Sequence, residues 1–205
     1  MYRLYGAPNS ASFAPEAVLH EIGAAYDFVD VDLSKDKPRD PDYLKLNPHG
    51  RVPTLLDDGQ IIFESAAISL YLADRHPEAG LVPSIDDPTR GQLYRWLFYL
   101  ADSLQIAYLE QFYPERYLAD PNHAPIIQAR ALDKIATCYG ILDTALTRGP
   151  YFLGDQFSVA DIYLLMLTTF HEDEARPVSA YGNVARCTEA AAERPATKSV
   201  LKRYI

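Results

Sequence analysis

The sequence has 205 residues, 48% of them apolar and 23% charged, with a formal net charge of −9. This is globular composition, with enough chain for a substantial core in one large or two small domains, and it excludes disorder. The acidic balance argues against nucleic acid and anionic membrane surfaces, which need a basic footprint, and no apolar run reaches the roughly 18 residues of a membrane span. Two distant cysteines, Cys138 and Cys187, and five scattered histidines make neither a disulfide framework nor a metal site. No metal is therefore expected, and a reducing cytoplasm is.

Taken in order, Arg3–Tyr5 reads as a first strand, entered at once, so no secretory leader is expected in this sequence. A turn-rich loop, Gly6 to Ser10, leads to Ser12, a plausible N-cap. Pro15 fits an early helical turn, and Gly23 stops the helix. Tyr26 to Leu33 alternates apolar and acidic residues, as a half-exposed strand does. Ser34 to Pro41 is a polar loop carrying Lys35, Lys37 and Arg39, and residues 42–46 suit a short helix. Asn47-Pro48-His49-Gly50 is turn chemistry. Thr54-Leu55-Leu56 and Gln60–Phe63 are short strands joined by the hairpin signal Asp57-Asp58-Gly59. Pro53 either ends a strand in trans or turns cis and leaves the backbone of Val52 open. Ser65 reads as the N-cap of a helix, either purely structural or presenting its N–H groups to an anion. This half is expected to be a small mixed sheet with helices packed on it.

After His76-Pro77 the character changes. Residues 78–87 form a linker, and Asp87-Pro88 reads as a helix start. Leu93, Trp96, Leu97, Leu100 and Leu104 make a helical stripe in a long aromatic segment that Pro114 should end. A second long helix runs from about Ala124 to Leu146. Ser158 and Asp161 have capping-box spacing, with Phe157 and Ile162 as a hydrophobic staple; this is folding chemistry that starts a buried helix. Two further helices follow. The domains are expected at 1–78 and 87–205.

The segment Leu46 to Leu55, followed by Phe63-Glu64-Ser65-Ala66-Ala67-Ile68, resembles the glutathione-binding motif of cytosolic glutathione transferases. The Ser158–Asp161 box after Leu153-Gly154-Asp155 resembles the same family's helix start in its all-helical domain. The resemblance covers essentially the whole chain and looks bacterial, either serine-type or divergent beta-like. It implies a thioredoxin-like N-terminal domain with a helical-bundle C-terminal domain, a cytoplasmic homodimer, glutathione as co-substrate and a role in detoxification. It also implies that Val52, before a cis Pro53, meets the cysteinyl part of glutathione. Glu64 would then pair with the γ-glutamyl ammonium, Ser65 would cap its carboxylate, and Arg51 or His49 would meet the glycine carboxylate.

The catalytic group departs from the family pattern. Gly6 stands where tyrosine-type enzymes carry tyrosine, Ala11 where beta-class enzymes carry cysteine, and Gln105 near the beta-class histidine. By resemblance to serine-type enzymes, Ser10 is the first candidate and Ser12 the second. A free thiol has a pKa of about 8.5, and lowering it by roughly two units takes about 2.7 kcal/mol. A hydroxyl donating to the thiolate supplies about 1.5–3 kcal/mol of that, and a helix N-terminus about 0.3–1. Tyr108, Phe112, Tyr113, Tyr117 and His171 are candidates to line a site for an apolar electrophile between the domains. The expected activity is conjugation of the thiol to that electrophile. The alternatives are a glutathione-dependent lyase, dehalogenase or isomerase, or a non-catalytic glutathione-binding module.

Overall fold

The computed structural model describes residues 1–34 and 39–204; Lys35 and Lys37, read above as part of a polar loop, lie outside the described residues. Two compact units emerge: Met1–Val82 together with Ala192–Ile205, and Pro83–Ala191.

The first unit holds β1 (Tyr2–Gly6), α1 (Phe13–Glu21), β2 (Tyr26–Asp30), α2 (Pro41–Leu46), β3 (Thr54–Asp57), β4 (Gln60–Phe63) and α3 (Ser65–Arg75). Its four strands run in the order β2-β1-β3-β4. β1 pairs parallel with β2 and antiparallel with β3, so Leu4 faces Phe28 on one side and Leu55 on the other. This mixed sheet with α1 crossing between parallel strands is a thioredoxin-like arrangement. Leu4, Leu55, Val18, Leu19, Ile68 and Leu72 are wholly buried and form its core. β2 ends at Asp30 rather than Leu33, because Asp30 pairs with Gly6, where β1 itself ends. The hairpin forms as its sequence demands, with Asp58 and Gly59 both at positive φ (44° and 85°), as its two-residue turn requires.

The last helix, α9 (Pro195–Leu201), packs on α1. The sequence-based boundary put it with the helical domain; the structure assigns it to the first unit. Arg194 makes a two-pronged ion pair with Glu21 (3.0 and 2.6 Å), which also accepts from Thr197 (2.9 Å). Glu16, 1% exposed, accepts from the phenols of Tyr26 (2.9 Å) and Tyr204 (2.7 Å) and lies 3.4 Å from Arg203. Burial, reinforced by the bond to Glu16, pushes both phenols well above the ordinary tyrosine range, so they stay donors.

The second unit is helical: α4 (Arg90–Tyr99), a π-helical turn (Leu100–Leu104), α5 (Gln105–Phe112), α6 (Ala124–Ala145), α7 (Val159–Thr168) and α8 (Gly182–Ala192). α4 starts two residues later than Asp87-Pro88 suggested. Asp87 instead closes a local turn by accepting from the N–H and hydroxyl of Thr89 (2.8 and 2.7 Å). Pro114 opens a short 3₁₀ segment and ends α5. The Ser158–Asp161 box starts α7, whose residues Val159–Leu167 are all buried. Asp161 accepts the Phe152 N–H (3.0 Å), the Ser158 N–H and hydroxyl (2.8 Å each) and the Cys187 thiol (3.5 Å). Among the described residues no helix is long and apolar enough to cross a membrane.

Candidate functional site

The loop between β1 and α1 starts at Gly6, and sterics explain why no tyrosine stands there. A Cβ on Gly6 would lie 2.6 Å from the Phe28 ring and 2.9 Å from Ser12 Cβ. Ser12 occupies the N-cap position of α1, but its side chain makes no cap bond and is fully buried. It therefore offers no exposed surface to a ligand in this structure. Ser10 is part-exposed. Its Oγ donates to the Ala7 carbonyl (2.6 Å), accepts the Ser12 N–H (3.2 Å) and lies 3.0 Å from Ser12 Oγ. The loop therefore presents one reachable hydroxyl whose proton is parked on a main-chain oxygen.

The turn before β3 carries a cis Val52–Pro53 bond. Pro53 is buried and Val52 half-buried. Neither the N–H nor the C=O of Val52 has a protein partner among the described residues. His49 and Arg51 are exposed; the His49 ring stands edge-on to Phe63 at 6.2 Å. Arg39, a further cation of this region, is committed elsewhere. It donates to the carbonyls of Gly50 (2.9 Å), Asp32 (2.8 Å) and Leu33 (3.2 Å).

The N-cap of α3 is Glu64 rather than Ser65, which is the first helical residue. Glu64 has φ 75° and ψ 113°, a region that costs a residue with a Cβ on the order of 1–3 kcal/mol and that clusters at ligand clamps. Its side chain is exposed. The buried Ser65 hydroxyl donates to the Ala11 carbonyl at 2.7 Å. That bond brings the N-terminus of α3 against the Ser10–Ser12 loop, across 54 residues of sequence.

The aromatic candidates all lie in the second unit. Tyr108 is 2% exposed and belongs to the interior. Its hydroxyl bridges the Tyr139 hydroxyl and His171 Nδ1, both at 2.9 Å. His171 Nε2 lies 2.8 Å from the Arg176 carbonyl, so that nitrogen carries the proton. Nδ1 then accepts from Tyr108, which in turn accepts from Tyr139. Phe112 stacks on Tyr108 with centroids 6.1 Å apart, and Arg116 lies over the Tyr113 ring at 3.8 Å. Tyr117 is exposed. Gln105 accepts a hydrogen bond from Tyr163. Among the described residues no group of three His, Cys, Asp or Glu side chains could hold a metal ion.

Family models of the glutathione S-transferase N-terminal and C-terminal domains match residues 1–74 and 125–170. The chain belongs to the glutathione S-transferase family. It is 29% identical to glutathione S-transferase GstA of Escherichia coli O157:H7, with 97% of this chain and 96% of that one covered. Among solved structures, it resembles a glutathione transferase homologue from Sulfitobacter with bound glutathione. The TM-score is 0.90 at 31% identity, covering 98% and 97% of the two chains. It also resembles a bacterial beta class glutathione S-transferase from Sphingomonas chungbukensis, with a TM-score of 0.83 at 34% identity and the same coverage.

Sequence reasoning about this transferase missed the residues beneath the Val52 turn. Asn47 reads as a turn former within the motif segment and Tyr43 as part of a short helix, with no sign that they meet, yet both are buried. The available signal was Tyr43 itself, a large aromatic in a short helix flanked by Asp40, Asp42 and Lys45.

Proposed function

We propose that this glutathione transferase binds glutathione along the Val52 backbone and at the start of α3, and that the Ser10 hydroxyl stabilises the thiolate, whose proton leaves to water, for attack on an apolar electrophile. Glu64 pairs with the γ-glutamyl ammonium, the N–H groups at Ser65 and Ala66 receive its carboxylate, and His49 or Arg51 meets the glycine carboxylate. The supporting observation is the 2.7 Å bond from Ser65 to the Ala11 carbonyl, which sets the α3 N-terminus beside the loop that carries the part-exposed Ser10 hydroxyl. Ser10 must turn its proton from Ala7 to the sulfur. An anion is the stronger acceptor, so the exchange is favourable by on the order of 1 kcal/mol. The serine is not a base; it stabilises charge that the sulfur already carries. Ala11 cannot form a mixed disulfide, which argues against glutaredoxin-like chemistry there.

The partner unit for a homodimer is supported by β4, an edge strand with Ile61 and Phe63 exposed on one face. Two free, buried cysteines suit a reducing cytoplasm.

The test is the ultraviolet absorbance of thiolate in bound glutathione, followed against pH. The wild type is expected to titrate about two units below a free thiol, and Ser10→Ala to give back roughly one to two units. Binding without any lowered titration supports the non-catalytic module and sinks the transferase mechanism.

A further inference from the structure

Beneath the Val52 turn lies a closed ring of buried polar groups that thiol activation does not use. Tyr43 comes from α2, Asn47 follows it, and Thr54 opens β3; they are 5%, 3% and 0% exposed. Tyr43 Oη meets the Arg51 carbonyl oxygen at 2.5 Å and Thr54 Oγ1 at 2.9 Å. Asn47 Nδ2 meets the same carbonyl at 2.9 Å and the same hydroxyl at 3.1 Å, and Asn47 Oδ1 accepts the His49 N–H at 3.1 Å.

The protons of this ring fit in one way. The His49 N–H fixes the Asn47 amide with its oxygen outward and its NH₂ inward. Those two protons go to Arg51 and Thr54. A carbonyl only accepts, so the Tyr43 proton also goes to Arg51. The Thr54 hydroxyl is left to donate to Tyr43. Burial raises the Tyr43 phenol above its usual range, against the pull of its bonds to Thr54 and Asn47, so it remains a donor at neutral pH.

The consequence lies one peptide away. The Arg51–Val52 peptide is trans, since the cis bond is the next one. In a planar trans peptide the N–H points opposite to the C=O. The ring holds the Arg51 carbonyl inward with two donors, so the Val52 N–H is aimed outward, where no protein group meets it.

We propose that Tyr43 is a positioning residue for glutathione: its hydroxyl, with Asn47, locks the Arg51 carbonyl so that the Val52 N–H is preset to bond the tripeptide. This rests on the reading that glutathione lies along Val52. Preset donors spare the ligand the ordering cost of the loop. Tyr43 does not touch the ligand or the sulfur.

Tyr43→Phe keeps the ring that packs 5.6 Å from Tyr5 and removes only the hydroxyl. Calorimetry with glutathione should show Kd raised about five- to twenty-fold, the effect of one lost carbonyl contact and a loosened loop. The thiol titration of bound glutathione and kcat at saturating glutathione should stay at wild-type values. The pair Thr54→Ser and Thr54→Val gives the same reading where Tyr43→Phe folds poorly: serine keeps the hydroxyl and the affinity, valine raises Kd. A Tyr43→Phe protein that melts lower but binds glutathione as the wild type does overturns the proposal, as does a thiol titration that moves with the affinity. A wild type that binds no glutathione overturns both this proposal and the binding site it rests on.

Discussion

Glu64 carries two opposed roles that one substitution separates. Its φ of 75° costs a residue with a Cβ about 1–3 kcal/mol. Glycine adopts that φ freely and is a tolerated N-cap, but pays about 0.5–1 kcal/mol more in chain entropy. Glu64→Gly should therefore stabilise the protein by roughly 0.5–2 kcal/mol. For a chain of this size that is a Tm rise on the order of 1–8 °C. Glu64→Ala keeps the Cβ and the strain, so it should not gain. Both variants lose the carboxylate proposed to pair with the glutathione ammonium. A charged hydrogen bond of about 1.5–3 kcal/mol corresponds to glutathione binding weakened roughly 10- to 150-fold. Calorimetric melting and titration of the two variants side by side read both quantities. If glycine melts no higher than alanine, the strain argument is wrong. If both bind glutathione as the wild type does, Glu64 does not meet the ligand.

Three further outcomes follow from the packing. Gly6→Ala forces a Cβ to within 2.6 Å of the Phe28 ring and 2.9 Å of the buried Ser12, and should cost about 1–3 kcal/mol in urea unfolding; a neutral result would mean the loop moves freely. Ser12→Ala should leave the thiol titration of bound glutathione where Ser10→Ala raises it, and equal shifts would put the wrong serine at the sulfur. Burial pushes the Asp161 carboxyl from its ordinary 3.8 up to about 6, against the pull of its four donors. The folded chain then holds a proton that the unfolded chain has lost between about pH 4 and 6. Its contribution is thus fully present below about pH 4 and falls by about 3 kcal/mol as pH rises to 6. The stability gap between wild type and Asp161→Asn should narrow across that window; a widening gap refutes the assignment.

Local chemistry was legible wherever a few adjacent residues decide the backbone. The Asp58-Gly59 turn, the Ser158–Asp161 box and the helix-ending Pro114 each depend on neighbours within about four positions. Reading failed where a side chain chose a distant partner over the nearby one. Ser65 looked like a cap, yet its hydroxyl bonds Ala11, and the cap position fell to Glu64 in a conformation no glutamate prefers. Ser12 looked like a cap and caps nothing. Tyr108 shows no local sign of burial, yet Tyr139, thirty-one residues away, takes its hydroxyl into the interior. α9 carries no local sign of its destination, because Glu16 and Glu21 attract it from the far end of the sequence.

That last placement bears on how the protein is made. The unit that carries Ser10, Val52 and Glu64 is interrupted in sequence by the whole helical unit, and the Tyr204–Glu16 bond spans 188 residues. On a ribosome adding about 5–20 residues per second, α9 emerges on the order of ten seconds after α3. Through that interval Glu16 lacks its Tyr204 donor and Glu21 lacks Arg194, so α1 holds two carboxylates destined for burial without their partners. The helical unit, continuous in sequence, is complete first. The glutathione-binding unit begins synthesis first and closes last.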